Sequence, residues 1–532
     1  MVKRDIFCFC IISILMPVVL AHDGYTRNLN VDILHYQFAL SLNDSTDRID
    51  GNTIIIARFL NDADSLSLDL NGLNSDGKGM TVTKVSSDAE NLSWTQRSEK
   101  LTVFFSDKVR KNDTVDFTVE YNGIPSDGLI ISKNKFGNRT FFADHWPDRA
   151  HNYLPCIDHP YDKASVDFII TAPDRYKVVA SGVLIEESDL VGDMTLTHWH
   201  EAVPLATKVM TFGAAQFAVQ LAGTMNSIPV TSWVFPENRD NGFRDYSIAV
   251  KPLDYYSSIV GSYPYEKLAN VQSKTIFGGL ENAGTIFYFQ NSVTGLGRAE
   301  GLIAHEIAHQ WFGNCVTEAD WHHIWLSEGF ATYMTSLYFE SKWGNDSLKS
   351  NMASTRRMIL KDYEKNPDPV IDTTITNLID LLSVNSYQKG AWVLHMLRHK
   401  LGDEDFFKGL RLYYKRFYNS NALTKDFKNV MEEVSGKDLD KFFYQWLFTP
   451  GQPELSISHN VGKEKGTIEV IVEQKQKNLF DFNLEISVKE KRGEKIKNIP
   501  VSERITKIVI PAGTEAVIIP DPGVNLLFRL IK

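Results

Sequence analysis

His305-Glu306-Ile307-Ala308-His309 reads H-E-x-x-H and predicts both the fold around it and its chemistry. On a helix the two histidines lie on one face, where both can reach the same metal ion. Glu306 lies beside them as a carboxylate that need not be a ligand. Glu328 follows His309 after eighteen intervening residues. Two imidazoles, one carboxylate and an open fourth position are typical of a catalytic zinc site.

A short H-E-x-x-H match also occurs on ordinary helices that expose histidine and glutamate to solvent. The position of Glu328 favours the metal site over this alternative. It falls inside a second predicted helix, near Trp325–Trp343, that can present one more ligand to the first.

Length and composition indicate a folded protein of several domains. The 532 residues suggest about three domains, and 43% hydrophobic with 23% charged residues makes broad disorder unexpected. The formal net charge of −10 gives no basic surface for nucleic acid or an anionic membrane.

The first 21 residues have the pattern of a secretory signal peptide. Lys3 and Arg4 precede an apolar run from Ile6 to Leu20, and Ala21 ends a small-residue cleavage site. We expect export to the periplasm or the extracellular space, without a firm membrane anchor; an uncleaved anchor is the alternative. Cys156 and Cys315 remain after cleavage and are predicted to be unpaired buried thiols, although one disulfide is possible.

The periodicity of the chain predicts a multidomain α+β fold. Residues 22–225 alternate apolar and polar side chains, as at Leu66, Leu68 and Leu70, and predict an antiparallel β domain. Residues 226–450 have a mainly helical period. Pro450-Gly451-Gln452-Pro453 then breaks the chain, and residues 451–532 alternate again, which predicts a small C-terminal β-sandwich.

Two stretches carry a family resemblance. They read H-E-I-A-H-Q-W-F-G-N at 305–314 and W-L-S-E-G-F-A at 325–331. Together they resemble the zinc aminopeptidases of the aminopeptidase N and leukotriene hydrolase type. The resemblance implies a thermolysin-like catalytic domain and one zinc ion per chain. It also implies that His305, His309 and Glu328 are the ligands and that Glu306 is the general base.

An upstream segment, Gly278-Gly279-Leu280-Glu281-Asn282, resembles the G-x-M-E-N exopeptidase signature with Leu in place of Met. A glycine pair lets backbone approach a ligand closely, and an adjacent acid can hold a cation. By itself the segment is equally compatible with an ordinary turn. The resemblance implies a substrate-binding segment in which Glu281 holds the free α-amine.

A downstream segment, residues 386–391, resembles the Y-x-K-G element of the same family. A phenol directed at the carbonyl oxygen stabilises the oxyanion of a tetrahedral intermediate, and the resemblance gives this role to Tyr387. The alternative is a tyrosine that only packs in a core.

The chain departs from the family pattern in three further places. Alignment on Pro155-Cys156 puts Asp144 or Trp146 where the family has a Gln or Glu that helps to hold the amine. Asp144 is therefore either a second substrate-binding anion or an ordinary loop acid. Asp320-Trp321 replaces a frequent tryptophan pair, and we expect it to pack. About 80 residues follow Pro450, so we expect a short, bacterial-like member with an open site and no helical C-terminal domain.

Together these features predict a zinc aminopeptidase acting on peptides with a free N-terminus. A zinc endopeptidase uses the same metal chemistry but does not need the segment around Glu281. A catalytically silent binding homologue is the third possibility, although such relatives usually lose the base, a ligand or the tyrosine. The sequence does not predict the oligomeric state.

Overall fold

The computed structural model describes residues 23–87, 90–491 and 493–531. The signal peptide expected at residues 1–21 lies outside these ranges. The described chain forms an N-terminal β region, a mainly helical region with its own sheet, and a C-terminal β region. In these ranges no helix combines the length and the apolar character needed to cross a bilayer.

The N-terminal region is built from strands whose buried and exposed residues alternate, since successive side chains point to opposite faces. Its strands are β1 (Val31–Ser41), β2 (Ile49–Phe59), β3 (Ala63–Asp69), β4 (Gly79–Ser87), β5 (Glu90–Asn91), β6 (Ser93–Arg97), β7 (Lys100–Val109), β8 (Thr114–Ile124), β9 (Leu129–Lys133), β10 (Arg139–Ala143), β11 (Ala164–Pro173), β12 (Lys177–Ala180), β13 (Val183–Leu190), β14 (Met194–Leu205) and β15 (Phe212–Ala215).

These strands form three sheets. The largest has the order β13-β14-β11-β1-β2-β8-β4-β5, and the others are β12-β15-β10-β9 and β3-β7-β6. The expectation of a purely antiparallel domain needs one correction, because β1 and β11 run parallel, with His35 opposite Ser165. The long excursion between these two strands lets the chain return in the same direction.

The helical region begins with a mixed sheet. Its strands are β16 (Ala218–Met225), β17 (Ile228–Val234), β18 (Leu268–Ser273), β19 (Gly279–Leu280) and β20 (Thr285–Phe289), in the order β16-β17-β18-β20-β19. The boundary expected at 225/226 falls within the β16–β17 hairpin, so the sheet takes its first strand from before that boundary. Strand β19 forms one edge of the sheet.

The remaining elements of this region are mostly helices. They are α1 (Arg239–Tyr246), α2 (Val250–Ile259), α3 (Glu300–His309), α4 (Trp325–Trp343), α5 (Asn345–Asp362), α6 (Gly390–Leu401), α7 (Asp403–Arg416), α8 (Thr424–Ser435) and α9 (Asp440–Phe443), with a short parallel pair, β21 (Val316–Glu318) and β22 (Ser420–Ala422). Helix α3 packs on α4, and α4 packs on α6.

The C-terminal region consists of two sheets, as the alternation after Pro450 predicts. Its strands are β23 (Glu454–Val461), β24 (Thr467–Gln474), β25 (Phe482–Glu490), β26 (Gly493–Val501), β27 (Ile505–Pro511), β28 (Val517–Pro520) and β29 (Arg529–Ile531). The sheets have the orders β27-β24-β23-β29 and β26-β25-β28. Ile468 and Val470 of β24 and Leu484 and Ile486 of β25 are fully buried, so both sheets contribute to the core.

Candidate active site

The structure brings the three predicted metal ligands together. His305 and His309 lie on α3, and their Nε2 atoms are 3.1 Å apart. Glu328, in the first turn of α4, places Oε2 3.3 Å from each of these nitrogens. The three side chains thus present two imidazole nitrogens and one carboxylate oxygen to a single point.

The surroundings of His309 leave Nε2 available as a ligand. Its Nδ1 lies 3.3 Å from the carbonyl oxygen of Phe312 and 3.0 Å from Oγ of Ser327. A carbonyl only accepts, so Nδ1 donates to it, and Nε2 is the nitrogen that faces the other two predicted ligands. Gly313 has a φ of +115°, and a Cβ at this position would collide with Ser327 Oγ. The donor set fits zinc in number and type.

Charge within the cluster also suits a cation. Burial by itself raises the pKa of Glu328, but His309 and His305 outweigh it and lower that pKa below its usual range, so the ligand stays ionised. Glu306 is 4% exposed. Burial raises its pKa well above the usual value, and Glu281 and Glu328 raise it further. Glu306 therefore accepts a proton more readily than an exposed glutamate does.

The glycine pair before Glu281 has two different environments. Gly279, on β19, lies directly against the carboxylate of Glu306, and a Cβ there would overlap with it. A Cβ on Gly278 would meet nothing within 4 Å. Close approach of β19 to α3 thus requires glycine at 279 only.

Glu281 is fixed through its main chain and not through its carboxylate. Its carbonyl oxygen accepts from Gln310 Nε2 at 2.9 Å and from Asn314 Nδ2 at 2.6 Å. The Glu281 side chain is buried, and its Oε1 has no hydrogen-bond partner in the part of the chain that the structure describes. The sequence alone predicts no role for Gln310 or Asn314, although both lie in the H-E-I-A-H-Q-W-F-G-N segment.

Tyr387 reaches the same site from a π-helical turn, Asn385–Lys389. This turn leads into α6, and Gly390 packs against Gly329 of α4 so closely that a Cβ on Gly329 would lie 2.9 Å from the Gly390 Cα. The Tyr387 ring stacks on His305 with 5.9 Å between centroids. Burial, followed by the three nearby glutamates, raises the pKa of Tyr387 well above its usual value, so the phenol keeps its proton.

These groups line one cavity of about 630 Å³. Its wall combines the predicted ligands, base and tyrosine with the segment before Glu281. The lining residues are Trp146, Phe277, Gly278, Gly279, Leu280, Glu281, Gly301, Leu302, His305, Glu306, His309, Glu328, Thr332, Thr335, Ser336, Phe339, Asn351, Ser354, Thr355, Leu382, Tyr387 and Gln388.

Two predicted substrate-binding residues do not line this cavity. Asp144 is fully buried, forms an ion pair with Arg149 and accepts from the Ile276 amide at 3.1 Å. The structure therefore corrects its placement: the carboxylate holds the loop before Gly278, and Trp146 lines the cavity instead. Asn282 is also fully buried, outside the lining, and its side-chain amide has no partner among the described residues.

The other residues singled out from the sequence are structural. Trp321 packs edge-on against Trp146, with 5.7 Å between centroids, as expected for a packing residue. His322 and His323 follow Trp321 in the sequence and, as more ligands are not needed, are expected not to bind the metal; His322 bonds to the Ile375 carbonyl and His323 to the Thr424 hydroxyl. Both predicted thiols, at 156 and 315, are free and buried.

Comparison with known proteins agrees with this geometry. The peptidase M1 N-terminal domain matches residues 33–209, and the peptidase family M1 domain matches residues 245–446. The chain is 30% identical over 333 residues to a probable aminopeptidase 2 of Sulfurisphaera tokodaii, covering 59% of this chain and 42% of that protein. It is 29% identical over 337 residues to the glutamyl aminopeptidase of Sus scrofa, covering 59% and 35%.

A solved structure shows the same fold. The M1 zinc metallopeptidase of Deinococcus radiodurans superposes with a TM-score of 0.71 at 22% identity, over 81% of this chain and 96% of that one. The chain spans about two fifths of the length of the curated relatives it matches. Its two matched domains lie in the order N-terminal then catalytic, and the second contains the metal cluster. The chain belongs to the M1 peptidase family.

Proposed function

We propose that this protein is a zinc-dependent aminopeptidase that hydrolyses the N-terminal peptide bond of peptides. One observation carries the proposal. The unpartnered, buried carboxylate oxygen of Glu281 lines the same cavity as the cluster of His305, His309 and Glu328. A buried anion without a partner calls for a cation, and the free N-terminus of a peptide supplies one.

His305, His309 and Glu328 would hold one zinc ion per chain. Their nitrogens and oxygen match the ligand types that zinc prefers, and the cavity leaves access for a further ligand. A zinc ion bound there supplies Lewis-acid chemistry toward a peptide carbonyl and toward water.

Glu306 acts as the general base. It lies next to the ligand His305 on the cavity wall, and its raised pKa favours uptake of a proton from the attacking water. The same carboxyl then returns a proton to the departing amine, so Glu306 ends the cycle in its starting state. Gly279 presses on this carboxylate and restricts where it can move.

Tyr387 and Glu281 act on different groups of the first substrate residue, its carbonyl oxygen and its α-ammonium. Because its pKa is raised, the Tyr387 hydroxyl keeps its proton and donates to the carbonyl oxygen as negative charge develops there. Glu281 pairs with the α-ammonium, which fixes the register so that the first peptide carbonyl meets the catalytic groups. An N-acetylated peptide cannot make that ion pair.

The test compares amino-acid amides that have a free amine with the same compounds N-acetylated, with and without a chelator. We expect hydrolysis of the free-amine compounds only, loss of activity on chelation, and recovery on adding zinc. Equal cleavage of acetylated peptides would identify an endopeptidase. Zinc binding without any hydrolysis would identify a silent binding homologue.

A further inference from the structure

The cavity wall contains three carboxylates and, among its described residues, neither lysine nor arginine. Of the described residues that line it, Glu281, Glu306 and Glu328 are carboxylates, and none is a lysine or an arginine. The other lining side chains are two imidazoles and neutral groups. The carboxylate of Glu328 faces the two imidazoles, and in the proposed function Glu281 pairs with the α-ammonium. A negatively charged substrate side chain therefore finds no lysine or arginine to pair with among the described lining residues.

One guanidinium lies behind this wall, at Arg149, and its charge is already neutralised. Its Cζ is 5.8 Å from the centroid of the Phe277 ring, so the phenyl group lies against it. Arg149 pairs with the buried Asp144 and, at 3.0 Å, with Asp127. It is committed to two carboxylates and does not line the cavity.

The chain that leads to Glu281 contributes apolar side chains to the lining. Phe277 and Leu280 lie within four residues of Glu281 in sequence, and both line the cavity together with Trp146. Trp146 and Phe277 contact each other edge to face, with 5.7 Å between centroids. The first side chain of a peptide shares its α-carbon with the ammonium that Glu281 holds. We therefore place it against this aromatic and aliphatic surface.

We propose that the first-residue pocket is specific for neutral side chains and discriminates against glutamate and aspartate. The proposal rests on the proposed aminopeptidase function and defines its substrate class. An acidic side chain would lose its hydration here without gaining a cation or a charged donor, whereas an apolar side chain buries its surface.

Several matched relatives, including the Sus scrofa protein, are called glutamyl aminopeptidases. Among the described residues that line the cavity, none is a lysine or an arginine that could pair with a glutamyl side chain. Similarity to those proteins therefore gives the fold and the chemistry but not the preferred first residue.

The test uses isosteric pairs. The purified zinc-loaded protein is assayed on the amides of glutamate and glutamine, and of aspartate and asparagine, with the leucine amide as an apolar reference. We expect kcat/KM for each acidic compound to be at least about tenfold below its neutral isostere, because its carboxylate loses hydration without gaining a cation. Equal values within a pair would overturn the proposal. No hydrolysis of any of the five amides would instead contradict the aminopeptidase function.

A charge-introducing variant tests the assigned wall directly. Phe277→Arg puts a cation on the surface beside Glu281, and Phe277→Leu is the matched apolar control. We expect Phe277→Arg to raise the ratio of glutamate to glutamine hydrolysis by about tenfold or more, while Phe277→Leu leaves that ratio unchanged. A ratio that stays the same in both variants would show that the first side chain does not contact this wall. The ratio is taken within one variant, so a general loss of activity does not affect it.

Discussion

The two ends of the cavity are built in different ways. At the metal end, His305 and His309 come from consecutive turns of one helix and Glu328 from the first turn of the next. At the amine end, Glu281 follows an edge strand, and its backbone is held by Gln310 and Asn314. The loop before that strand is fastened by Asp144, a residue of the N-terminal β region.

Because of this difference, we expect the metal end to determine the chemical reaction and the amine end to determine which substrates are accepted. The metal end depends on helix periodicity and on one helix contact, so its residues form a compact local unit. The amine end depends on packing between regions distant in sequence. Substitutions at the metal end should affect every substrate alike, whereas those at the amine end should affect only substrates that have a free amine.

The largest effect is expected for Glu306→Gln. The amide keeps the shape of the side chain but cannot accept the proton, so kcat should fall by about 10²- to 10⁴-fold. Zinc content, measured by atomic emission on the purified protein, should stay at one ion per chain because the ligands are intact. Turnover above one tenth of the wild-type value would contradict the role of Glu306 as the base.

Tyr387→Phe should produce the next largest loss. Removing the hydroxyl eliminates a donor that acts only as charge develops, so kcat should fall by about 10²- to 10³-fold with little change in KM. Tyr444→Phe is a suitable control, since Tyr444 is 67% exposed and lies outside the cavity lining. An increase in KM with unchanged kcat would mean that Tyr387 only binds substrate.

Glu281→Gln tests the opposite end. Losing an ion pair with the ammonium should lower kcat/KM for free-amine amides by about 10- to 100-fold. The loss should appear mainly as a higher KM, since the ion pair forms when the substrate binds. A fall in kcat with unchanged KM would place Glu281 in the chemical step and would remove the distinction between the two ends.

Substitutions at two neighbouring glycines test the contact between β19, at the amine end, and α3, at the metal end. Gly279→Ala adds a methyl group that overlaps with the Glu306 carboxylate, whereas the methyl group of Gly278→Ala enters open space. Overpacking of this kind should cost Gly279→Ala about tenfold or more in kcat, with a clearly smaller loss for Gly278→Ala. Thermal unfolding of both variants separates a local clash from a general loss of stability. Equal losses would contradict the close approach of β19 to α3.

The sequence predicts the metal end better than the amine end, for physical reasons. Helix periodicity fixes which side chains share a face, so the predicted helix over Trp325–Trp343 and the two histidines one turn apart are found as expected. Strand alternation fixes which face a side chain takes but not the direction of the neighbouring strand. The parallel pairing of β1 with β11 was therefore not predictable.

Contacts between residues distant in sequence explain the remaining differences between the sequence-based predictions and the structure. The alignment leaves Asp144 open as a second anion for the amine, because nothing in its local sequence shows that Arg149 folds back onto it or that the Ile276 amide donates to it. For the same reason, the sequence does not predict the role of Gln310 and Asn314, whose partner is a main-chain carbonyl and not a side chain. Roles that depend on one helix can be predicted, whereas roles that depend on packing between regions need the structure.

Asp144→Asn should have the smallest kinetic effect. It distinguishes a residue that supports the loop before Gly278 from a residue that contacts the substrate. Losing the charge breaks the ion pair with Arg149 and weakens the hold on Ile276, so the free energy of unfolding should fall by about 1–3 kcal/mol. KM for free-amine amides should rise only a few-fold, because Glu281 itself is intact. Asp127→Asn is the matched control: it removes a half-exposed partner of the same guanidinium and should change neither quantity appreciably. A fall in kcat/KM for Asp144→Asn as large as that for Glu281→Gln would mean that Asp144 contacts the ammonium. The amine end would then hold two substrate-binding anions, and not one carboxylate whose loop is held in place by Asp144.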